Sequence, residues 1–139
     1  MEIKVFVSQP MHGLTEKQIY NRRCTALGRL RKEINAQFPD KDIHIKVVNP
    51  IVHKDAPTTF PSETAKRLWN VGRSIQYMGD ADAMLSIKGW VDARGCVVEN
   101  QCWWLYKQGS CVEVFDLSLP QELFSATVAN GIRYLLRAK

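Results

Sequence analysis

Hydrophobic positions along the chain fall into alternating short and long blocks. Ile3 to Ser8, with Val5 and Val7 around Phe6, has the β-branched, apolar character of a buried strand. It ends at Gln9-Pro10-Met11-His12-Gly13, and Thr15-Glu-Lys-Gln18 then has the form of a capping box opening a helix to about Gln37. Pro39 to Asp42 breaks that helix, and Ile43 to Val48 reads as a second strand stopped by Asn49-Pro50. Ile51 to Pro61, which holds His53 and two prolines, is expected to form a mobile flap. Ser62-Glu-Thr-Ala65 opens a helix through Leu68, Trp69, Val71, Ile75 and Met78, with Gly72 weakening its middle.

Ala81 to Ile87 supplies a third strand, ended by Gly89-Trp90. From Arg94-Gly95 onward Val97, Val98, Trp104 and Leu105 can share one helix face, which stops near Gly109. Cys111 to Phe115 reads as a fourth strand. Pro120 to Arg137 reads as a closing helix with Leu123, Val128, Ile132 and Leu135 inward. Alternating strands and helices predict right-handed crossovers over a sheet covered on both faces. The expected fold is α/β: one doubly wound domain over residues 1–139, with a mostly parallel sheet of four or five strands. Ligands in such folds bind beyond the carboxyl ends of the strands, which places Ser8 to Gly13 and Gly89 to Glu99 around one crevice.

Composition narrows the class. The 139 residues are 45% hydrophobic and 24% charged, the balance of a soluble globular domain. No apolar run approaches the length of a membrane span, and Met1 leads directly into a strand-like run, so a cytoplasmic protein with no membrane partner is expected. Cys24, Cys96, Cys102 and Cys111 form no Cys-x-x-Cys pair and have no histidine at ligand spacing. Buried free thiols are expected, with no metal and no cofactor.

The net charge of +5 favours an anionic partner. The basic residues are not interleaved with aromatic ones, so nucleic acid is not the expected partner. Arg22, Arg23, Arg29, Arg31 and Lys32 are read as a solvated helix face.

Two segments carry candidate chemistry. Ser8-Gln9-Pro10-Met11-His12-Gly13 precedes a helix start, where unpaired amides and the dipole favour an anion; it lacks a dinucleotide or phosphate-loop fingerprint, and an ordinary connecting loop fits it equally. Gly89-Trp90-Val91-Asp92-Ala93-Arg94-Gly95-Cys96-Val97-Val98-Glu99 joins the third strand to a helix. Its glycines allow close backbone approach, Arg94 can pair with a phosphate, and Glu99 lies about one and a half turns into the helix. Spacing alone leaves open whether Arg94 and Glu99 form a site or merely a helix surface.

With its opening Lys4-Val-Phe-Val-Ser-Gln-Pro10, its strand Ala81-Asp82-Ala83-Met84-Leu85 and the glycine-containing turn before Glu99, the chain resembles the nucleoside 2-deoxyribosyltransferase-like family. That family includes nucleoside 5′-monophosphate N-glycosidases and has a flavodoxin-like architecture. Ser8-Gln-Pro-Met-His-Gly13, Gly72-Arg-Ser74 and Gly89-Trp90 with Arg94-Gly95-Cys96 are similar to one branch of it. The resemblance implies that Glu99 attacks the anomeric carbon of a nucleoside or nucleotide and releases the base. A carboxylate can hold the sugar as an ester, dividing one hard displacement into two easier ones.

The departing base needs a proton, for which Asp92 is preferred over Asp82. Ser8, Gln9, Met11, His12, Gly13, Arg73, Ser74, Gly89, Trp90, Arg94 and Gly95 are the expected substrate-binding residues. Trp90 either stacks on the base or closes the rim, and His53 is read as part of a flap. Trp103 and Trp104 are expected in the core or at a subunit contact.

The chain departs from the family at three positions: Phe6 stands where a tyrosine orients the nucleophile, Arg73-Ser74 near a carboxylate, and Ala93 at a phosphate-binding serine. These departures would equally suit a module that binds or sequesters nucleotides without chemistry. The resemblance also implies a homo-oligomer, a dimer or higher.

Overall fold

The computed structural model describes residues 1–107 and 114–139. The strands are β1 (Glu2–Ser8), β2 (His44–Val47), β3 (Ala83–Ser86) and β4 (Phe115–Asp116), and the helices α1 (Glu16–Gln37), α2 (Glu63–Met78), α3 (Arg94–Lys107) and α4 (Gln121–Ala138). A single 3₁₀ turn, Trp90–Asp92, precedes α3. The strands form one all-parallel sheet in the order β2-β1-β3-β4, a doubly wound α/β architecture consistent with a flavodoxin-like fold. The chain first steps from β1 to β2 on one side, then crosses to β3 on the other. The strand order therefore reverses at β1, and the crevice of such a sheet lies between β1 and β3. Register places Ser8 opposite Ser86 at that point.

Strand alternation sorts the core into two layers. Ile3, Val5 and Val7 point to one face, where they pack with Ala26, Leu27, Leu30 and Ile34 of α1 and Phe124, Val128, Ile132 and Leu135 of α4. Phe6 points to the other face and packs with Met78, Met84 and Trp103. Phe6 is thus a fully buried core residue. Ser8 lies two residues further along the same face.

The helix starts follow the sequence signals. The Thr15 hydroxyl accepts from the Gln18 amide at 3.1 Å while Gln18 Oε1 accepts from the Thr15 amide at 2.9 Å, completing the capping box. Ser62 caps α2 through the Ala65 amide at 3.0 Å.

Several faces differ from the sequence expectation. In α3 the buried positions are Cys96, Glu99, Asn100 and Trp103, while Val98, Trp104 and Leu105 are exposed. The helix turns a polar stripe inward because serines at the strand ends give that stripe hydrogen-bond partners. In α2 only Met78 is buried and Leu68 lies outside. In α4 Phe124, not Leu123, enters the core. Cys24 is exposed, Cys96 is buried and Cys102 lies between; Cys111 and most of the strand expected from it fall outside the described residues. Among the described residues, no helix is long and apolar enough to cross a membrane.

Candidate active site

Each strand brings a polar group to the carboxyl edge of the sheet, and α3 lays two more over them. Gly89, at φ 94°, takes a backbone conformation that side chains rarely adopt, and this turns the chain from β3 into the 3₁₀ turn and α3. A Cβ at Gly89 would lie 3.6 Å from Pro10 Cγ, so the two loops that bound the crevice touch there. Gly95 sits against Val71 of α2. With α3 so placed, its 96, 99, 100 and 103 positions lie on one inward stripe.

The resulting network is continuous. Ser8 Oγ donates to Glu99 Oε1 at 2.8 Å. Ser86 Oγ donates to Asn100 Oδ1 at 3.0 Å, while Asn100 Nδ2 donates to the Cys96 carbonyl at 2.8 Å and approaches Ser8 Oγ at 3.5 Å. Glu99 is 9% exposed, and among the described residues no donor reaches its second oxygen, Oε2.

Burial pushes the Glu99 carboxyl up to about 7, against the opposing pull of the Ser8 hydrogen bond and the positive field of Arg23. Near neutral pH its protonated and ionised forms are therefore both populated. Burial likewise raises the Cys96 thiol to about 11, so it stays protonated and inert beside the site.

Arg23 belongs to this centre, contrary to the expectation of a solvated face: it is 6% exposed. Its Nε donates to Gln9 Oε1 and its Nη1 to the Asn49 carbonyl, both at 2.6 Å. Asn49 in turn clamps β1, accepting from the Val7 amide at 2.8 Å and donating to the Val7 carbonyl at 2.9 Å. Gln9 Nε2 is held by the Ile19 carbonyl at 3.0 Å. Burial lowers the Arg23 pKa to about 10, and the field of Glu99 opposes this; the side chain remains a cation at neutral pH.

The signal for Arg23 lay in its spacing: it precedes Ala26, Leu27, Leu30 and Ile34 on the apolar stripe of α1. Asn100 had a similar signal, one residue after Glu99 and four after Cys96. Asn49 was read only as a strand stop.

The remaining expected residues divide into a rim and a separate cluster. Met11, His12 and Gly13 are exposed on the loop after β1, with Gly13 at φ 76°. Trp90 is half-buried, and its Nε1 donates to Asp116 Oδ1 at 3.1 Å, tying the rim to the end of β4. Asp92 and Arg94 are exposed where the turn meets α3. Asp82 lies at the other end of the sheet, bound to the Lys4 amide at 2.9 Å and to Lys139 at 3.0 Å.

Arg73 and Ser74 are engaged elsewhere. Arg73 pairs with Asp55 at 2.8 Å and donates to Gln76 and Tyr77, and Ser74 Oγ lies 3.1 Å from His53 Nε2. The stretch expected as a mobile flap is thereby fastened to α2, with the His53 ring stacked on Tyr77 and edge-on to Trp69. Burial and the nearby Arg73 lower the His53 pKa, so the ring is neutral at neutral pH.

A surface cavity of about 260 Å³ opens between α1 and the start of β2, lined by Arg31, Asn35 and His44 among others, at the end of the sheet away from Glu99. Among the described residues, no group of three or more histidines, cysteines and carboxylates gathers to hold a metal. The arrangement around Glu99 offers one carboxyl oxygen without a hydrogen bond among the described residues, a hydroxyl that orients the other, and a buried cation. No family model, curated protein or solved structure matches the chain.

Proposed function

We propose that the chain cleaves or exchanges the N-glycosidic bond of a nucleoside or nucleoside 5′-monophosphate, with Glu99 as nucleophile. One observation carries this reading: a carboxyl buried at the strand-order reversal, with Oε1 fixed by Ser8 and Oε2 unbonded among the described residues. A nucleophilic carboxylate needs such asymmetry, because one oxygen must be oriented while the other keeps a free lone pair for the sugar carbon.

In the proposed reaction, the ionised Oε2 attacks the anomeric carbon as the bond to the base breaks. Asp92 on the exposed turn donates a proton to the departing base. Water or a second base, giving its proton to Asp92, then takes the sugar from the ester, which restores both carboxyl groups. The rim of Met11, His12 and Trp90 offers apolar and aromatic surface to the base, and Arg94 with the α3 amides suits a 5′-phosphate. Arg73 and Ser74 are not assigned to this substrate, because both are committed to the His53 cluster.

The test is incubation with a panel of nucleosides, deoxynucleosides and their monophosphates, followed by detection of free base. The expected result is release by the wild type and loss of at least about a thousandfold in Glu99→Gln. Release that survives Glu99→Gln would reject the nucleophile. Tight nucleotide binding without release would favour a module that binds without chemistry. The homo-oligomer implied by the same resemblance is a separate part of the reading, tested by size-exclusion chromatography against a 15.9 kDa monomer.

A further inference from the structure

Arg23 is the buried charge that the proposed chemistry does not use. Both of its hydrogen-bond acceptors, Gln9 Oε1 and the Asn49 carbonyl, are neutral. No carboxylate among the described residues lies within ion-pair distance of it. Its third nitrogen, Nη2, is sealed from solvent with no hydrogen-bond partner among the described residues. Removing a guanidinium from water costs several kcal/mol, and a fold seldom retains one without a compensating charge or a task. Its acceptor Gln9 directly follows Ser8, whose hydroxyl donates to Glu99, so Glu99 is the buried carboxylate at the same strand end, and its field reaches Arg23.

The two charges are held apart by construction. Gln9 continues β1 and Asn49 follows β2, and each is itself pinned, to the Ile19 carbonyl and to both backbone groups of Val7. The guanidinium therefore stays at the sheet end instead of closing on the carboxylate. A direct ion pair would occupy the lone pairs that attack the substrate; a cation held beyond ion-pair distance supplies its field and leaves them free.

We propose that Arg23 is a positioning residue for Glu99: clamped by Gln9 and Asn49, it favours the ionised carboxylate from a distance while leaving Oε2 open to the sugar carbon. This rests on the assignment of Glu99 as the reacting carboxyl.

The groups that act on Glu99 are few. From β1 comes the Ser8 hydroxyl and from α1 Arg23, while on α3 itself Cys96 stays protonated. Arg23 is the cation among them, so its removal has a definite sign. Without it the protonated carboxyl gains ground, and ionisation moves to higher pH.

The experiment follows the carboxyl directly. Infrared difference titration of the whole chain, with the Glu99 band assigned by its loss in Glu99→Gln, gives the ionisation midpoint in each variant. Arg23→Gln removes the charge but keeps a donor for Gln9, and its midpoint is expected about one pH unit higher. Arg23→Lys keeps the charge, and its midpoint is expected within about 0.3 of the wild type. If Arg23→Gln fails to fold, the double variant Arg23→Met with Gln9→Met removes donor and acceptor together and is expected to show the same rise.

In base-release assays the acid limb of kcat/KM should move by the same amount, a fall of about tenfold at pH 6. An unmoved midpoint in the uncharged variants would overturn the proposal. So would a rise in Arg23→Lys as large as in Arg23→Gln, or a fall in rate at all pH values with the acid limb in place. If the wild type releases no base from any substrate, the glycosidic reading fails, and the infrared titration still decides what Arg23 does to Glu99.

Discussion

Ser8 and Glu99 come from opposite parts of the sequence and meet through one 2.8 Å hydrogen bond. That bond stabilises the ionised carboxylate, so Ser8→Ala should raise the Glu99 midpoint above neutrality. Activity at pH 7 is then expected to fall about tenfold and to recover partly at pH 8.5, as a pH–rate profile would register. A profile that drops uniformly would mean that the hydroxyl positions the carboxyl without affecting its charge. Cys96, by contrast, should react with thiol reagents far more slowly than Cys24, because it is buried and protonated while Cys24 is exposed. Mass spectrometry after brief alkylation of the native protein would compare the two sites.

At the scale of elements, α3 decides the site, and its neighbouring tryptophans experience opposite surroundings. Trp103 is 2% exposed and packs with Phe6 and Met84, whereas Trp104 is 58% exposed. Trp103→Ala should therefore cost about 3–5 kcal/mol, and Trp104→Ala about 0.5 kcal/mol or less, by urea unfolding of the monomer. A large loss for Trp104→Ala would show that the helix is rotated from the position described. Helix α1 depends on its start: Thr15→Ala removes one half of the capping box and should cost about 1 kcal/mol in the same measurement.

The elements were largely legible in the chain, because strands here are short apolar blocks and helix starts carry Thr15 and Ser62 as caps. Their inward faces were less so. Apolar spacing put Val98 and Leu105 in the core, but α3 instead turns Glu99 and Asn100 inward toward Ser8 and Ser86. Periodicity cannot reveal such a face: it scores a buried polar stripe as surface until the partners that satisfy it are known.

Across the whole molecule, burial of Glu99 links stability to pH. Its folded value of about 7 lies above the ordinary 4.5, so the folded state holds this proton more tightly than the unfolded chain. The contribution is fully present below pH 4.5 and is lost as pH rises to about 7; the loss is on the order of 3 kcal/mol. Glu99→Gln, which cannot ionise, should therefore melt higher than wild type at pH 8 and close to it at pH 4.5. Thermal unfolding at both pH values checks this. Equal melting temperatures at pH 8 would mean that Glu99 is already ionised in the fold without penalty. The same substitution would gain stability and lose the proposed reaction, as expected of a carboxyl held in an environment that disfavours its charge.

Hydrophobic alternation and the order of strands and helices were enough to determine a doubly wound sheet and the edge at which a site would form, because layer packing and crossover handedness leave few other arrangements for such a chain. Glu99 and Ser8 stood in the segments expected to meet. The tertiary structure decided what those segments hold: the Ser8 hydroxyl on Glu99, a buried Arg23 clamped by Gln9 and Asn49, with Ser74 turned to His53 and Arg73 to Asp55 instead. Burial and electrostatic environment arise from groups distant in sequence, so the charge on a carboxyl and the company of an arginine become definite only when the strand ends come together.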